Sequence, residues 1–384
     1  MTRPGRFLIA TWDGGGNTPP AFNLGTRLAR RGHRVRLLGW ESMAQRSTDA
    51  GIEFTPYAST PPWPENLSLD NGYDRMVPLL LGPATRDDII TEARAFTPDV
   101  LVLDCMLGAG YDAARQLRLP TAVLTHVLYS AFISDWGDRV MRTSVHDVFA
   151  ATDRVLALVP PGFDAPVALP GNTTYVGPIT HPDSKRRRDG RGLASLEMLT
   201  GPGDPWVLLS LSTTLQRQTE ALPAMLAAVA SLPVRVLLTL GGVLAADAVS
   251  APPNVTVRDF VPHDMVMAHM AAVICHGGLS TITASLAAGV PLVCIPQGRD
   301  QHINAARVAA CGVGRVVAPE ASATEIATAV HAVVRDEPAH EVARRLAAEV
   351  EALGGGEHAT AQVEQLAGSD DVPVVREDRH AIHR

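Results

Sequence analysis

The chain has 384 residues, 46% of them hydrophobic and 19% charged, enough apolar material for the cores of two domains and too much for a disordered polymer. A formal net charge of −7 argues against a nucleic-acid binder, which presents a basic face. The four cysteines, Cys105, Cys275, Cys294 and Cys311, show no C-x-x-C spacing, which argues against zinc and for reduced, mostly buried thiols in a cytoplasmic protein.

In chain order, the first element is the apolar run FLIATW (7–12), read as a strand. It is too short for a secretory leader, and no other run approaches the ~18 apolar residues that cross a bilayer, so a soluble protein without a membrane span is expected. The loop WDGGGNTPP (12–20) follows, then an amphipathic helix over 21–31. Strands at 34–39, 52–57, 99–104, 121–126 and 154–160 alternate with helices at 86–97, 109–117 and 138–152. Residues 58–80, rich in Pro, Asn and Asp, read as a long functional loop. The polar, Gly/Pro-rich stretch 181–204 reads as an interdomain linker, and its basic cluster Lys185-Arg186-Arg187-Arg188 as a solvated segment.

A second series then runs through strands at 206–212, 234–241, 255–261, 271–277 and 291–296, with helices at 217–230, 279–288, 301–311 and within 323–367. Residues 368–384 lack periodicity and read as a tail. Near-continuous apolar strands separated by helices imply parallel sheets covered on both faces. The expectation is an α/β protein of two Rossmann-like domains, 1–180 and 205–367, facing each other across a cleft.

The chemistry concentrates at the carboxyl ends of these strands, where ligands bind in open α/β sheets. Cys275-His276-Gly277-Gly278-Leu279-Ser280-Thr281 closes a buried strand and opens a helix. Glycines there let backbone approach a ligand, and the helix N-terminus favours phosphate, with His276, Ser280 and Thr281 as further donors. The plainer reading of the same residues is a helix cap and a packed histidine. Asp300 and Gln301, after the strand PLVCIP, pair a carboxylate with an amide, a combination suited to hydroxyl-rich ligands; Asp300 is equally a helix cap. Phe260 closes another strand and is either a stacking platform or core. Ser212 and Thr213 close the domain's first strand.

Residues 260–314, from Phe260-Val261-Pro262-His263 through CHGGLSTI and GVP to PQGRDQ, resemble the donor-binding region of family 1 glycosyltransferases. GHRVRLLG, PDVLVLD and VLLSLSTT extend the resemblance over most of the chain, and the bacterial, antibiotic-tailoring branch is nearest. The resemblance implies the GT-B fold and an inverting transfer of a sugar or deoxysugar from a dTDP- or UDP-sugar, dTDP favoured, to a hydrophobic natural-product acceptor. It implies no further cofactor and no required metal. Carried over, Phe260 and Val261 flank the nucleobase. His276, Gly278, Ser280, Thr281, Ser212 and Thr213 face the diphosphate, and Asp300 and Gln301 the sugar hydroxyls. His263 stands where relatives often have Gln. A homodimer is compatible with the sequence, which fixes no oligomeric order.

The same resemblance turns WDGGGNTPP toward the acceptor. The loop lacks the P-loop lysine and the strict G-x-G-x-x-G dinucleotide pattern. Anchored on Pro20 and Gly32-His33, the family's catalytic histidine falls on Asn17, which has no proton affinity for a general base. The aspartate that orients that histidine is present as Asp104. Four accounts of the base stay open: Asp13, placed first; Asp104, second; His126, at the acceptor side of the cleft; or an acceptor acidic enough to need little help. The missing histidine also leaves a second functional class open, a non-catalytic nucleotide-sugar binder that activates a partner enzyme. An epimerase on the same fold is a third.

Overall fold

A computed structural model describes residues 3–64, 72–164, 169–183, 199, 201–214, 217–242 and 244–368. Most of the expected linker, its basic cluster Lys185–Arg188, and the tail from 369 onward lie outside the described residues.

Thirteen strands form two sheets among the described residues. The first sheet contains β1 (Arg6–Ala10), β2 (Arg34–Gly39), β3 (Glu53–Pro56), β4 (Val100–Asp104), β5 (Thr121–Thr125), β6 (Arg154–Ala157) and β7 (Thr173–Tyr175), in the order β3-β2-β1-β4-β5-β6-β7. The second contains β8 (Trp206–Ser210), β9 (Arg235–Thr239), β10 (Val255–Arg258), β11 (Met270–Cys275), β12 (Leu292–Cys294) and β13 (Gly314–Val316), in the order β10-β9-β8-β11-β12-β13. Every pairing is parallel. The central strands β4, β5 and β8 are buried along their whole length, as continuous apolar runs with helices on both faces require. Parallel pairing places all strand ends on one edge of each sheet. Asp104 lies in register with Leu124, and Cys275 with both Ser210 and Cys294.

Three local differences from the sequence reading have physical causes. Within the expected loop 58–80, Gly72–Leu81 is helical, because Met76, Val77 and Leu80 are spaced to bury one face. The expected helix 138–152 is two, Asp135–Met141 and Val145–Ala150, broken at Arg142 in left-handed backbone (φ 55°), with Ser144 accepting from the Asp147 amide to start the second. Edge strands β7 and β13 have three residues each, too short for a two-residue repeat to register. The stretch 323–367 divides into helices Ala323–Arg335, Glu337–Leu353 and Gly355–Ala367. A reciprocal cap between Ser322 and Glu325 opens the first, Asp336 caps the second, and Gly354 in left-handed backbone ends it.

By sequence position the last helix falls in the C-terminal domain, but it packs on the N-terminal one. Ala359, Val363 and Leu366 join the core formed by Phe7, Leu24 and Val100. Glu357 pairs with Arg27 and Arg31, and Glu364 with Arg31 at 2.6 Å and His33 at 2.8 Å. The chain therefore passes between domains twice, between Asp183, still bonded to Arg30, and Leu199, in the C-terminal core, and again at Gly354-Gly355. The second passage lies against the first domain: a Cβ on Gly355 would lie 2.8 Å from the Pro178 carbonyl oxygen. In the other direction, Phe163 on the N-terminal side is buried in the C-terminal core, and the amide of Gly162 donates to Glu349 at 2.8 Å. No helix among the described residues is long and apolar enough to cross a membrane.

The packing of the last helix, not its ion pairs, holds it in place. Exposed pairs contribute about 0–1 kcal/mol, whereas an unpaired charge in an apolar core costs several. Val363 is 0% exposed. Val363→Asp is expected to lower the melting temperature by about 4 °C or more, on the order of 3 kcal/mol or above. Glu364→Gln should shift it by only about a degree or two. Calorimetric melts of both variants check the contrast.

Candidate functional site

The facing edges of the two sheets enclose a cleft of about 530 Å³. Its C-terminal wall is made by the segments after β8, β10, β11 and β12. Gly278 begins the helix Leu279–Ala288, whose N-terminus and Ser280 and Thr281 face the cleft. Gly277 adopts φ +85°, and a Cβ on Gly278 would overlap the His276 ring, so this turn tolerates only glycine without displacing the histidine. His276 lines the cleft, and its Nδ1 is buried without a protein partner among the described residues. Burial holds its imidazole down to about 4, against a Ser210 backbone contact that pulls upward, and nearby His263 and Arg299 lower it further. His276 is therefore neutral at pH 7, a donor of one N–H and not a cation. His263, whose Nε2 meets Ser210 Oγ at 3.1 Å, is likewise held near 4 by burial, opposed by Asp264.

Phe260 also lines the cleft and is 64% exposed, so it is not core. The Asp300 carboxylate accepts from Asn304 Nδ2 at 2.9 Å, while Gln301 Oε1 accepts from the amides of Gln297 (2.7 Å) and Gly298 (3.2 Å). Between them and the turn, Arg299 sits in left-handed backbone (φ 55°), an unfavourable state for a residue with a Cβ. Its guanidinium has no ion pair among the described residues and lines the cleft beside His276.

The N-terminal wall is largely apolar, lined by Trp12, Met76, Met106, Val127 and Trp136, with Asn17, Asn23, His126, Thr180 and His181 as its polar members. Behind it, Asp104 is 4% exposed at the end of β4. Its Oδ1 accepts from Trp12 Nε1 (2.8 Å) and the Met106 amide (2.9 Å), and its Oδ2 from Asn17 Nδ2 (3.1 Å). The same Oδ2 lies 3.0 Å from Nδ1 of His126. Asn17 is tied on its other sides too: Nδ2 donates to the Trp12 carbonyl (2.8 Å), and Oδ1 accepts from the Gly14 amide (3.0 Å). The side chain thus staples the loop and is not free to act on a ligand's proton. Asp104, Cys105 and His126 bring three ligand-type atoms within 4.8 Å of one another, but both Asp104 oxygens and His126 Nδ1 are engaged in hydrogen bonds. The cluster is a hydrogen-bond network.

The glycine loop spans the gap between the walls. Gly15 (φ +88°) sits where a Cβ would lie 3.0 Å from Thr213 Oγ1, and a Cβ on Gly16 would lie 3.5 Å from Ser280 Cβ. The loop is pressed against the C-terminal domain, and its glycines provide clearance.

A family profile described as "Erythromycin biosynthesis protein CIII-like, C-terminal domain" matches residues 223–363. Demethyllactenocin mycarosyltransferase of Streptomyces fradiae is 34% identical over 166 residues, 43% of this chain and 36% of that protein. In such matches the chain spans about 36–40% of the curated relatives' length. The solved calicheamicin glycosyltransferase CalG4 has a TM-score of 0.77 at 24% identity, over 96% of this chain and 100% of that one. VinC, a glycosyltransferase solved in complex with dTDP, has a TM-score of 0.70 at 21% identity, over 94% and 99%. Over residues 223–363 the chain is similar to that glycosyltransferase family, and its two-sheet architecture is the GT-B fold.

The structure brings together Ser212, Thr213, Phe260, Val261, His276, Gly278, Ser280, Thr281, Asp300 and Gln301 on one wall, and Asn17 and His126 on the other. Asp13 does not line the cleft: its carboxylate accepts from Ser42 Oγ at 2.7 Å and lies 3.8 Å from Arg46. Four apolar or aromatic residues of the N-terminal domain, Trp63, Tyr73, Met76 and Tyr129, are further sequence candidates for its wall: Met76 lines the cleft, Tyr129 is fully buried, and Trp63 packs on Trp12 and Trp40. The side chain of Tyr73 lies outside the described residues. Sequence reasoning missed Arg299, Trp12, Met106 and Trp136. Arg299 occupies an unspecified position inside the P-x-x-x-[DE]-Q motif, and the other three carry no motif at all.

The two neutral histidines couple this site to stability. A folded-state value near 4, below the ordinary 6.5, means that the unfolded chain takes up protons first. Their contribution is complete above pH 6.5 and is lost as pH falls toward 4, by about 2 kcal/mol for each histidine at pH 5. Denaturant midpoints measured from pH 7.5 to 4.5 should fall over that window, and His263→Gln should flatten the fall.

Proposed function

We propose that the chain is an inverting glycosyltransferase that moves a sugar, a deoxysugar by preference, from a dTDP-sugar to a hydrophobic natural-product acceptor. One observation carries the reading: a largely exposed Phe260, a partnerless His276 Nδ1 and a helix N-terminus share one wall of a cleft whose opposite wall is tryptophan and methionine. The polar wall suits a nucleoside diphosphate and the apolar wall an acceptor. dTDP in VinC supports the thymidine nucleotide, and the mycarosyltransferase relative supports the sugar and acceptor class.

In this reading the nucleobase stacks on Phe260 next to Val261. The diphosphate lies at the N-terminus of Leu279–Ala288, where Ser212, Thr213, Ser280 and Thr281 donate to it. Asp300 and Gln301 reach the sugar hydroxyls. An acceptor on the opposite wall attacks the anomeric carbon from the face away from the leaving diphosphate, which inverts the centre. As the bond to the diphosphate breaks, negative charge grows on its oxygens. The neutral His276 N–H, the helix dipole and the Arg299 cation are placed to stabilise it. These groups supply the electrophilic assistance, so no metal is required and EDTA leaves turnover unchanged.

Isothermal titration should show dTDP binding to the wild type, and Phe260→Ala should weaken it by about 1–3 kcal/mol through lost stacking. His276→Ala should lower turnover of a dTDP-deoxysugar by about 10²–10³-fold, the usual cost of an oxyanion donor. A wild-type protein that binds neither dTDP nor UDP would sink the proposal.

A further inference from the structure

Glycosyl transfer needs a group to take the acceptor's proton, and the loop position that supplies it in relatives is Asn17. We propose that His126, just after β5 in the same sheet, is the general base, and that Asp104, at the end of the neighbouring β4, is the residue that positions it. This inference rests on the glycosyltransferase reading and assigns a catalytic group within that site.

A base here needs a lone pair, access to the cleft and a fixed tautomer. His126 meets all three conditions. It follows β5, its side chain is 12% exposed, and it lines the acceptor wall beside Asn17 and Met106. With Asp104 Oδ2 at 3.0 Å, Nδ1 carries the proton and donates it, which leaves the lone pair on Nε2. Nε2 has no protein partner among the described residues. The Trp12 indole meets the ring edge-on, with centroids 5.9 Å apart, and restricts its rotation.

The other candidates lack one condition each. Asp13 is turned to Ser42 and Arg46, off the cleft. Asp104 is behind the wall, with both oxygens engaged. Asn17 has no basic atom. His181, on the N-terminal side, accepts the Asp183 amide at Nδ1 (3.1 Å), which places the ring proton on Nε2, and His263 and His276 stand on the donor wall, with the leaving group.

The step balances without a further reactant. The acceptor O–H bond breaks and its proton goes to Nε2. The oxygen's electron pair forms the new bond to the anomeric carbon. The bond from that carbon to the diphosphate breaks, and its electrons leave on the diphosphate. The imidazolium that results is held against the Asp104 carboxylate until it releases its proton to solvent.

The groups facing His126 are Asp104 from β4, the adjoining Cys105 thiol, at 3.5 Å, and the uncharged Trp12. Burial pulls the imidazole down, but Asp104 and Cys105 outweigh it and raise it well above its usual 6.5. The neutral, working form is gained as pH rises, so the acid limb of kcat/KM lies above 6.5. Asp104→Asn removes the charge that raises it and moves the limb to lower pH, while the maximum rate falls because the tautomer is no longer fixed.

The test measures dTDP affinity, transfer from a dTDP-deoxysugar to paired phenol and aliphatic-alcohol acceptors, and donor hydrolysis without acceptor, each from pH 6 to 10. Wild type, His126→Gln, Asp104→Asn and Asp13→Asn are compared. The expected result for His126→Gln is a loss of about 10²–10⁴ in kcat/KM for the alcohol, a smaller loss for the more acidic phenol, and unchanged dTDP affinity. Asp104→Asn shifts the acid limb downward. Wild-type rates in His126→Gln, or loss of activity in Asp13→Asn alone, overturn the assignment and leave the transferase reading standing. A wild type that binds dTDP but neither transfers nor hydrolyses also overturns it, while one that binds no nucleotide removes both. If His126→Gln fails to fold, NMR titration of the His126 Cε1 resonance in the wild type decides: a midpoint above 6.5 is expected, and one below it overturns the assignment.

Discussion

Asp104 is the point from which the N-terminal half of the cleft is built. Its two oxygens bind groups from three separate segments: the loop after β1, the turn after β4, and the end of β5. A buried carboxylate is costly unless its lone pairs are filled, and here donors from those segments fill them. The dependence runs both ways. The charge needs the loop, and the loop has its shape because Trp12 and Asn17 close on the charge. Removing any one donor leaves the others around a carboxylate that is partly unsatisfied, so the wall stands or fails as a unit.

The two halves of the cleft solve opposite problems. The C-terminal wall is polar and relies on a helix N-terminus, neutral imidazoles and one guanidinium. The N-terminal wall is aromatic and thioether, with a buried ion pair behind it. WDGGGNTPP is where they meet. Its glycines resemble a phosphate cradle in the sequence, but Gly14 is there because the Trp12 ring leaves no room for a side chain, and Gly15 because its φ is +88° and a Cβ would crowd Thr213. The polar groups of the opposite wall belong to the other domain.

Much of this was legible in the residues. Long apolar runs alternating with helical periodicity specified two parallel sheets, because burial on both faces demands such runs. The HGG turn and the Asp300-Gln301 pair were legible because a strand-to-helix junction forces their residue types. What was hidden depended on distance through space. Asp13 and His126 look equally suitable as bases in one dimension; only the fold turns Asp13 toward Arg46 and brings His126, 22 residues after Asp104, within 3.0 Å of it. The return of Gly355–Ala367 to the first domain was hidden for the same reason, since an amphipathic stripe does not say which core it joins.

That return also governs how the molecule can move. A single connection would let one domain swivel against the other like a ball on a string. Here the return at Gly354-Gly355 adds a second one, seated against the first domain with Gly355 beside Pro178 and Gly177 beside Leu353. Two connections leave the domains less relative freedom than one linker would, because a twist of either domain strains one passage against the other. Gly177, Gly354 and Gly355, all at positive φ, hold that contact in backbone conformations a side chain would strain.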